Sequence, residues 1–266
     1  MTAHESPITV PKFAAMKAAG RKITMLTAYD YIMASLADST GIEGILVGDS
    51  LSMVVQGHPN TLPVTLDQMI YHAEMVGRAV GHALVVVDMP FLTYQVGKRR
   101  AIANAGRILK ETRCHAVKLE GGVEMAGAIA AIVSAGIPVM GHLGLRPQSL
   151  HRFGGYSVQR DRQRLLDDAK AVEQAGAFSV VLECIPATLA AEATAAVRIP
   201  TIGIGAGADC DGQILVLHDL LGLTAGRLPR HAKAYADLRT VTAEAIARYR
   251  DEVRAGQFPT ADQSFT

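Results

Sequence analysis

Eight times along the chain, a short run of Val, Ile and Leu ends in a polar or Gly-containing cluster and gives way to a longer, Ala-rich stretch. The runs occupy residues 23–27, 44–47, 84–87, 116–119, 138–141, 179–182, 200–204 and 213–217. They are largely apolar rather than alternating, the pattern of strands buried on both faces in a parallel sheet with helices outside. Between them, residues 66–80 place Met69, Ile70, Ala73, Val76 and Val80 on one helical face. Residues 123–135 and 162–175 behave alike and stop beside Gly136 and Gly176, where a helix end favours a residue tolerant of left-handed backbone. Pro138 and Pro200 open strands, where a missing N–H is least costly. Strand and helix alternating about eight times predicts the α/β class and a (β/α)8 TIM barrel; a doubly wound open sheet shares the alternation. No stretch reads as an internal linker, so residues 1–266 are expected to form a single barrel domain, closed by an amphipathic helix over 241–253.

Charged residues make up 19% of the chain and the formal net charge is +1, which gives no electrostatic footprint for nucleic acid or an anionic membrane. With no Trp and 5% aromatic residues, there is no stacking platform for single-stranded nucleic acid either. The apolar runs are far shorter than the ~20 residues of a membrane helix, and residues 1–17 lack a secretory leader pattern. Cys114, Cys184 and Cys210 are odd in number and suggest no disulfide framework. The expectation is a cytoplasmic protein with small-molecule substrates.

In a barrel of this kind, function sits at the C-terminal ends of the strands. Ionisable residues follow the apolar runs there: Asp49 and Ser50 after the second, Asp88 after the third, Lys118 and Glu120 in and after the fourth, His142 after the fifth and Glu183 after the sixth. Burying several carboxylates at one rim costs several kcal/mol unless something neutralises them. A divalent metal is the simplest neutraliser, and Asp49, Asp88 and Glu120 are hard oxygen donors suited to Mg²⁺. A lone Asp at a strand end is more often a helix cap or turn residue; three on successive strands weaken that explanation. Lys118 can supply further positive charge or grip a substrate carboxylate. Glu183, flanked by Leu182 and Cys184, is a candidate general base or a salt-bridged structural residue, and His142 a substrate hydrogen-bond donor or a satisfied core histidine. Residues 203–207, Gly-Ile-Gly-Ala-Gly, form either an anion cradle or a tight backbone turn.

At these residues the chain resembles the ketopantoate hydroxymethyltransferase (3-methyl-2-oxobutanoate hydroxymethyltransferase) family. The matching stretches are TAYDY at 27–31, LVGDSLSMVVQGH at 46–58, TLPVTLD at 61–67, VKLEGG at 117–122, GHLGLRPQS at 141–149, FGGY at 153–156, LECIP at 182–186, IGIGAG at 202–207 and DGQILVLHDLLG at 211–222. The resemblance implies a barrel of the phosphoenolpyruvate/pyruvate type and a homo-oligomer, a decamer. It also implies transfer of a hydroxymethyl group from 5,10-methylenetetrahydrofolate to 2-oxoisovalerate in pantothenate biosynthesis, through a Mg²⁺-stabilised enolate. Asp49 and Asp88 would then hold the metal, with Glu120 completing its site directly or through water. Asp49, Ser50, Asp88 and Lys118 would contact the keto acid, and Glu183 would be the catalytic base. The chain departs from the family pattern at residues 95–100, in the segment before Gln163 and at Cys210, which bears on loop shape and folate affinity rather than on the reaction. Two other readings compete: a Mg²⁺-dependent lyase or mutase of the phosphoenolpyruvate mutase and isocitrate lyase type, disfavoured because no KKCGH-like motif is present, and a non-catalytic keto-acid or folate binder.

Overall fold

The computed structural model describes residues 6–265; the first five residues, where the N-terminal reading begins, lie outside it. The chain divides into two compact units, Met1–Val216 and Leu217–Thr266. In the first, eight parallel strands close into a barrel: β1 Ile23–Thr27, β2 Gly44–Val47, β3 Leu84–Asp88, β4 Ala116–Glu120, β5 Val139–Gly144, β6 Ser179–Glu183, β7 Thr201–Ile204 and β8 Gly212–Leu215. Each strand pairs with its successor, and β8 returns to β1 through the register Met25↔Ile214. Closure rules out the open doubly wound sheet.

The ladders run past the points where the apolar runs stop. β3 ends at Asp88 rather than 87, β4 at Glu120 rather than 119, β6 at Glu183 rather than 182, and β5 at Gly144 rather than 141. Backbone pairing does not depend on side-chain polarity, so a reading that stops at the first charged residue cuts strands short where they carry charge. β8 instead ends at Leu215, because a short helix begins at Leu217.

Side chains of one parity point into the barrel. Ile23 and Met25, Leu46, Leu84 and Val86, Ala116, Met140, Val181, Ile202 and Ile214 form one buried cluster. The opposite parity, including Ile45, Val85, Val117, Val139, Val180 and Leu182, packs in a second cluster with the surrounding helices. The helix Leu66–Ala79 starts in a capping box of Thr65 and Gln68, and Arg162–Gln174 starts on the Asp161 side chain. The stretch read as one helix from 123 begins as a 3₁₀ turn, Val123–Met125, and becomes α-helical at Ala126–Ser134. Gly136 (φ 83°) and Gly176 (φ 92°) lie in left-handed backbone just past their helices, as expected.

One element escapes the strand–helix reading. Val10–Ala18 is a helix capped by the Thr9 side chain with Pro11 in its first turn. Its buried Phe13 and Met16 join the interior cluster, and Phe13 meets Phe178 edge-on at 5.7 Å. In the second unit, Leu238–Arg254 is a capped helix with no buried residue and with Val241, Ile246, Tyr249 and Val253 exposed. No disulfide links Cys114, Cys184 and Cys210, and among the described residues no helix is long and apolar enough to cross a membrane.

Gly144, at the top of β5, has φ 89°, and a Cβ built there would lie 2.2 Å from the main-chain oxygen of Glu183. Neither the backbone angle nor that contact can relax by side-chain motion. Gly144→Ala is therefore expected to lower stability by about 2–4 kcal/mol. A urea midpoint within error of the parent protein's would contradict the local geometry described.

Candidate active site

The interior parity that carries apolar side chains low in the barrel carries polar ones at its C-terminal rim. Two residues beyond Val86 stands Asp88; beyond Ala116 come Lys118 and Glu120; beyond Met140 comes His142; beyond Val181 comes Glu183. Register sets their neighbours: Asp88 pairs with Lys118, and Glu120 with His142. Asp49 and Ser50 follow β2 after Gly48, where an added Cβ would fall 3.0 Å from Ser50 Oγ and 3.5 Å from Asp88 Oδ2.

These side chains connect. The Asp49 amide N–H donates to Asp88 Oδ2 at 3.0 Å. Lys118 Nζ lies 2.8 Å from Asp88 Oδ1 and 3.0 Å from His142 Nδ1. His142 Nε2 lies 3.1 Å from Glu183 Oε2, at hydrogen-bonding distance but short of the alignment of a formed bond. Asp49, Asp88, Lys118, Glu120 and His142 are all buried, while Glu183 keeps 16% side-chain exposure. His142 is thus only in part a satisfied core histidine: one nitrogen is engaged and the other is turned toward Glu183.

Electrostatics follow from four carboxylates (Asp49, Asp88, Glu120 and Glu183) sharing a buried rim with Lys118. Burial, then the neighbouring Asp88, pushes the Asp49 carboxyl up to about 7. Burial, then Asp49, holds Glu120 well above the usual carboxylate range. Burial opposes the charge on Lys118, but Asp88, Asp49 and Glu120 more than offset it, and its pKa is raised. Burial, reinforced by Lys118, drives His142 well below its ordinary value, so its ring is neutral at physiological pH. An ammonium can only donate, so Nδ1 must accept and the ring proton resides on Nε2, facing Glu183.

Several participants carry no charge and were not singled out in the sequence. Ser50 Oγ is 2.7 Å from the hydroxyl of buried Tyr29, within the TAYDY stretch. Gln148, within GHLGLRPQS, donates its amide to Asp49 Oδ2, and its backbone N–H donates to Glu120 Oε2. After β6, Cys184 adopts φ 50°, one of two positive-φ non-glycine residues among those described; the other, Leu92, follows β3. Such backbone costs roughly 1–3 kcal/mol and is retained where the surroundings fix it; here the Cys184 N–H is bound to the Ile204 carbonyl. The glycines after β7 serve close packing and turning: Gly205 and Gly207 have positive φ, and a Cβ on Gly207 would strike Ala187 at 2.5 Å. The site thus offers an acid pair, a lysine beside it, and a separate carboxylate facing a neutral imidazole.

Known proteins share both chain and fold. Residues 7–261 match the family model of ketopantoate hydroxymethyltransferase. The 3-methyl-2-oxobutanoate hydroxymethyltransferase of Rhodopirellula baltica is 56% identical over 98% of this chain and 97% of its own, and that of Pelobacter propionicus is 54% identical over 97% of each. Among solved structures, phosphonopyruvate hydrolase in complex with oxalate and Mg++ superposes with a TM-score of 0.63 at 14% identity, over 97% of this chain and 92% of that one. The 2,3-dimethylmalate lyase, a member of the PEP mutase/isocitrate lyase superfamily, superposes with a TM-score of 0.62 at 17% identity, over 98% and 93%. At such identities these neighbours establish the shared barrel, whereas the relatives above fix the enzyme type: the chain belongs to the ketopantoate hydroxymethyltransferase family.

Proposed function

We propose that this enzyme, working as one domain over residues 1–266, transfers a hydroxymethyl group from 5,10-methylenetetrahydrofolate to 2-oxoisovalerate, forming ketopantoate with the help of Mg²⁺. The observation that carries the reading is the separation of roles at the rim: the pair Asp49 and Asp88 beside Lys118, and Glu183 three strands away beside His142. Among the described residues no three His, Cys, Asp or Glu side chains converge as a ready metal cage. Mg²⁺ does not require one, since it keeps several waters and is held by one or two carboxylates together with its substrate. The donor set fits such an ion: two adjoining aspartates, one raised to a pKa of about 7 by burial and by its neighbour's charge, and Gly48 leaving space beside them. Asp49 and Asp88 would hold it, with Glu120 completing the site directly or through water. A structural neighbour carrying oxalate and Mg++, on the same barrel, supports this choice.

When bound, the cation supplies Lewis acidity to the ketone oxygen. The protein's own groups do the rest. Lys118 and Ser50 orient the keto acid, together with Asp49 and Asp88. His142, with Nδ1 on Lys118 and Nε2–H toward Glu183, is placed to orient the base and to contact the keto acid. Glu183 removes the proton from the branched carbon next to the ketone. The freed electron pair forms the new C–C bond to the one-carbon unit as its bond to one folate nitrogen breaks; water then supplies the hydroxyl oxygen as the bond to the second nitrogen breaks, and the protons from the branched carbon and from water pass to the two nitrogens.

Three outcomes test this reading. Glu183→Gln should still bind keto acid and Mg²⁺, but solvent deuterium should enter the branched carbon of 2-oxoisovalerate 10²–10⁴-fold more slowly, about the worth of a positioned base. NMR without folate follows that exchange, and a parental rate would assign the proton to another group. Next, the cation must displace the proton from Asp49, so Mg²⁺ affinity should rise by up to tenfold per pH unit toward about 7 and level off above it. The sign for stability is opposite: with the folded pKa above the unfolded one, the metal-free protein loses this group's contribution as pH rises from about 4 to about 7. Calorimetry at pH 6 and pH 8 checks the first effect, and equal affinities would refute it. Finally, we propose that the chain assembles as a homo-oligomer, a decamer; a stable monomer in sedimentation at micromolar concentration would refute that.

A further inference from the structure

The acid cluster is held in place by a residue that carries no charge. Gln148 sits in the 3₁₀ turn Pro147–Ser149 that follows β5 and is 6% exposed. Its Nε2 donates to Asp49 Oδ2 at 2.9 Å and to the Met89 carbonyl at 3.0 Å. Its Oε1 accepts from the Tyr94 hydroxyl at 2.8 Å and from Gln95 Nε2 at 3.2 Å. The two N–H donors and two oxygen lone pairs of the amide are therefore all used. That pattern also fixes which way the amide points, because a flipped group would set oxygen against a carboxylate and a carbonyl. Its backbone N–H donates to Glu120 Oε2 at 3.1 Å, and the Tyr94 hydroxyl in turn accepts the Glu120 N–H at 3.1 Å. One buried residue thus ties together the ends of β2, β3 and β4 from the loop after β5.

We propose that Gln148 is a positioning residue: it fixes the carboxylates of Asp49 and Glu120 so that their charge is directed at a divalent cation instead of at each other or at the protein. The inference rests on the metal reading given above. The chemistry of the side chain explains why an amide stands here. A lysine or arginine would hold Asp49 as firmly but neutralise it, leaving less charge for the cation. A glutamate has the same shape but would face a carboxylate and a carbonyl with like-charged oxygens. Methionine fills similar volume and donates nothing. Only a neutral double donor aligns the acid and leaves its charge available.

The test compares parent, Gln148→Met and Gln148→Glu, with Mn²⁺ as the probe and free Mn²⁺ read by electron paramagnetic resonance, without keto acid or folate. Both variants should bind Mn²⁺ at least tenfold more weakly. With saturating Mg²⁺, deuterium exchange into 2-oxoisovalerate should recover in part, since positioning limits affinity before it limits the base. Gln148→Met that is folded, as judged by its near-ultraviolet circular dichroism, and binds Mn²⁺ as the parent does would overturn the proposal while leaving the function above intact. Should neither variant fold, Tyr94→Phe decides: it deletes the hydroxyl that orients the amide but leaves Gln148 in place. It should weaken Mn²⁺ binding about threefold, and unchanged affinity overturns the proposal. A parent protein that takes up no Mn²⁺ at all refutes the metal reading together with this inference, an outcome distinct from the others.

Discussion

A closed parallel barrel has one interior, and every second residue of every strand must point into it. Low in this barrel the constraint is met by apolar packing, from Ile23 round to Ile214, with Phe13 and Met16 joining the same cluster. At the C-terminal rim the same parity brings Asp88, Lys118, Glu120, His142 and Glu183 together on four consecutive strands. The site is therefore a continuation of the core by other means: what holds it in register is the backbone ladder, and what it lacks is compensation for its negative charge. Burial first, and then that imbalance, raises the pKa of Asp49 and leaves Glu120 well above the usual carboxylate range. Structural fit and chemical need have one origin.

Much of this was legible from residue order alone, because the two governing periods are local. Continuous Val, Ile and Leu runs mark doubly buried strands, and each charged residue placed just after one was found at the rim. The strand ends were misjudged where the charged residue itself belonged to the ladder, as at Asp88, Glu120 and Glu183. The helix Val10–Ala18 has a weak sequence signal although Thr9 followed by Pro11 is an adequate start; its apolar face is short, and the strand–helix alternation begins only after it. Gln148 is the harder case. Its partner Asp49 lies 99 residues away, and an uncharged amide in a loop has no periodicity or motif chemistry to distinguish it.

Neutral groups do as much at this rim as charged ones. Tyr29 anchors Ser50, Tyr94 meets both Gln148 and the backbone of Glu120, and the His142 ring stands between an ammonium and a carboxylate. Such groups are fully specified by their partners, so each can be replaced only by something that reproduces the same donors and acceptors. Cys184, left-handed and bound to Ile204, does the equivalent for the main chain beside Glu183.

The ammonium of Lys118 has an effect that reaches beyond its own charge. By donating to Nδ1 it selects the tautomer of His142, and so decides that a proton, not a lone pair, faces Glu183 on the next strand. Replace the lysine with an apolar residue and Nδ1 loses its donor. The ring proton is then free to migrate to that side, presenting a bare nitrogen to the carboxylate across from it. A lysine variant made to weigh its grip on substrate would at the same time disturb the base two strands away. Mutational measurements at this pair therefore cannot be apportioned one residue at a time; the tautomer is a shared property of Lys118, His142 and Glu183, and only a cycle that varies them jointly separates binding from proton transfer.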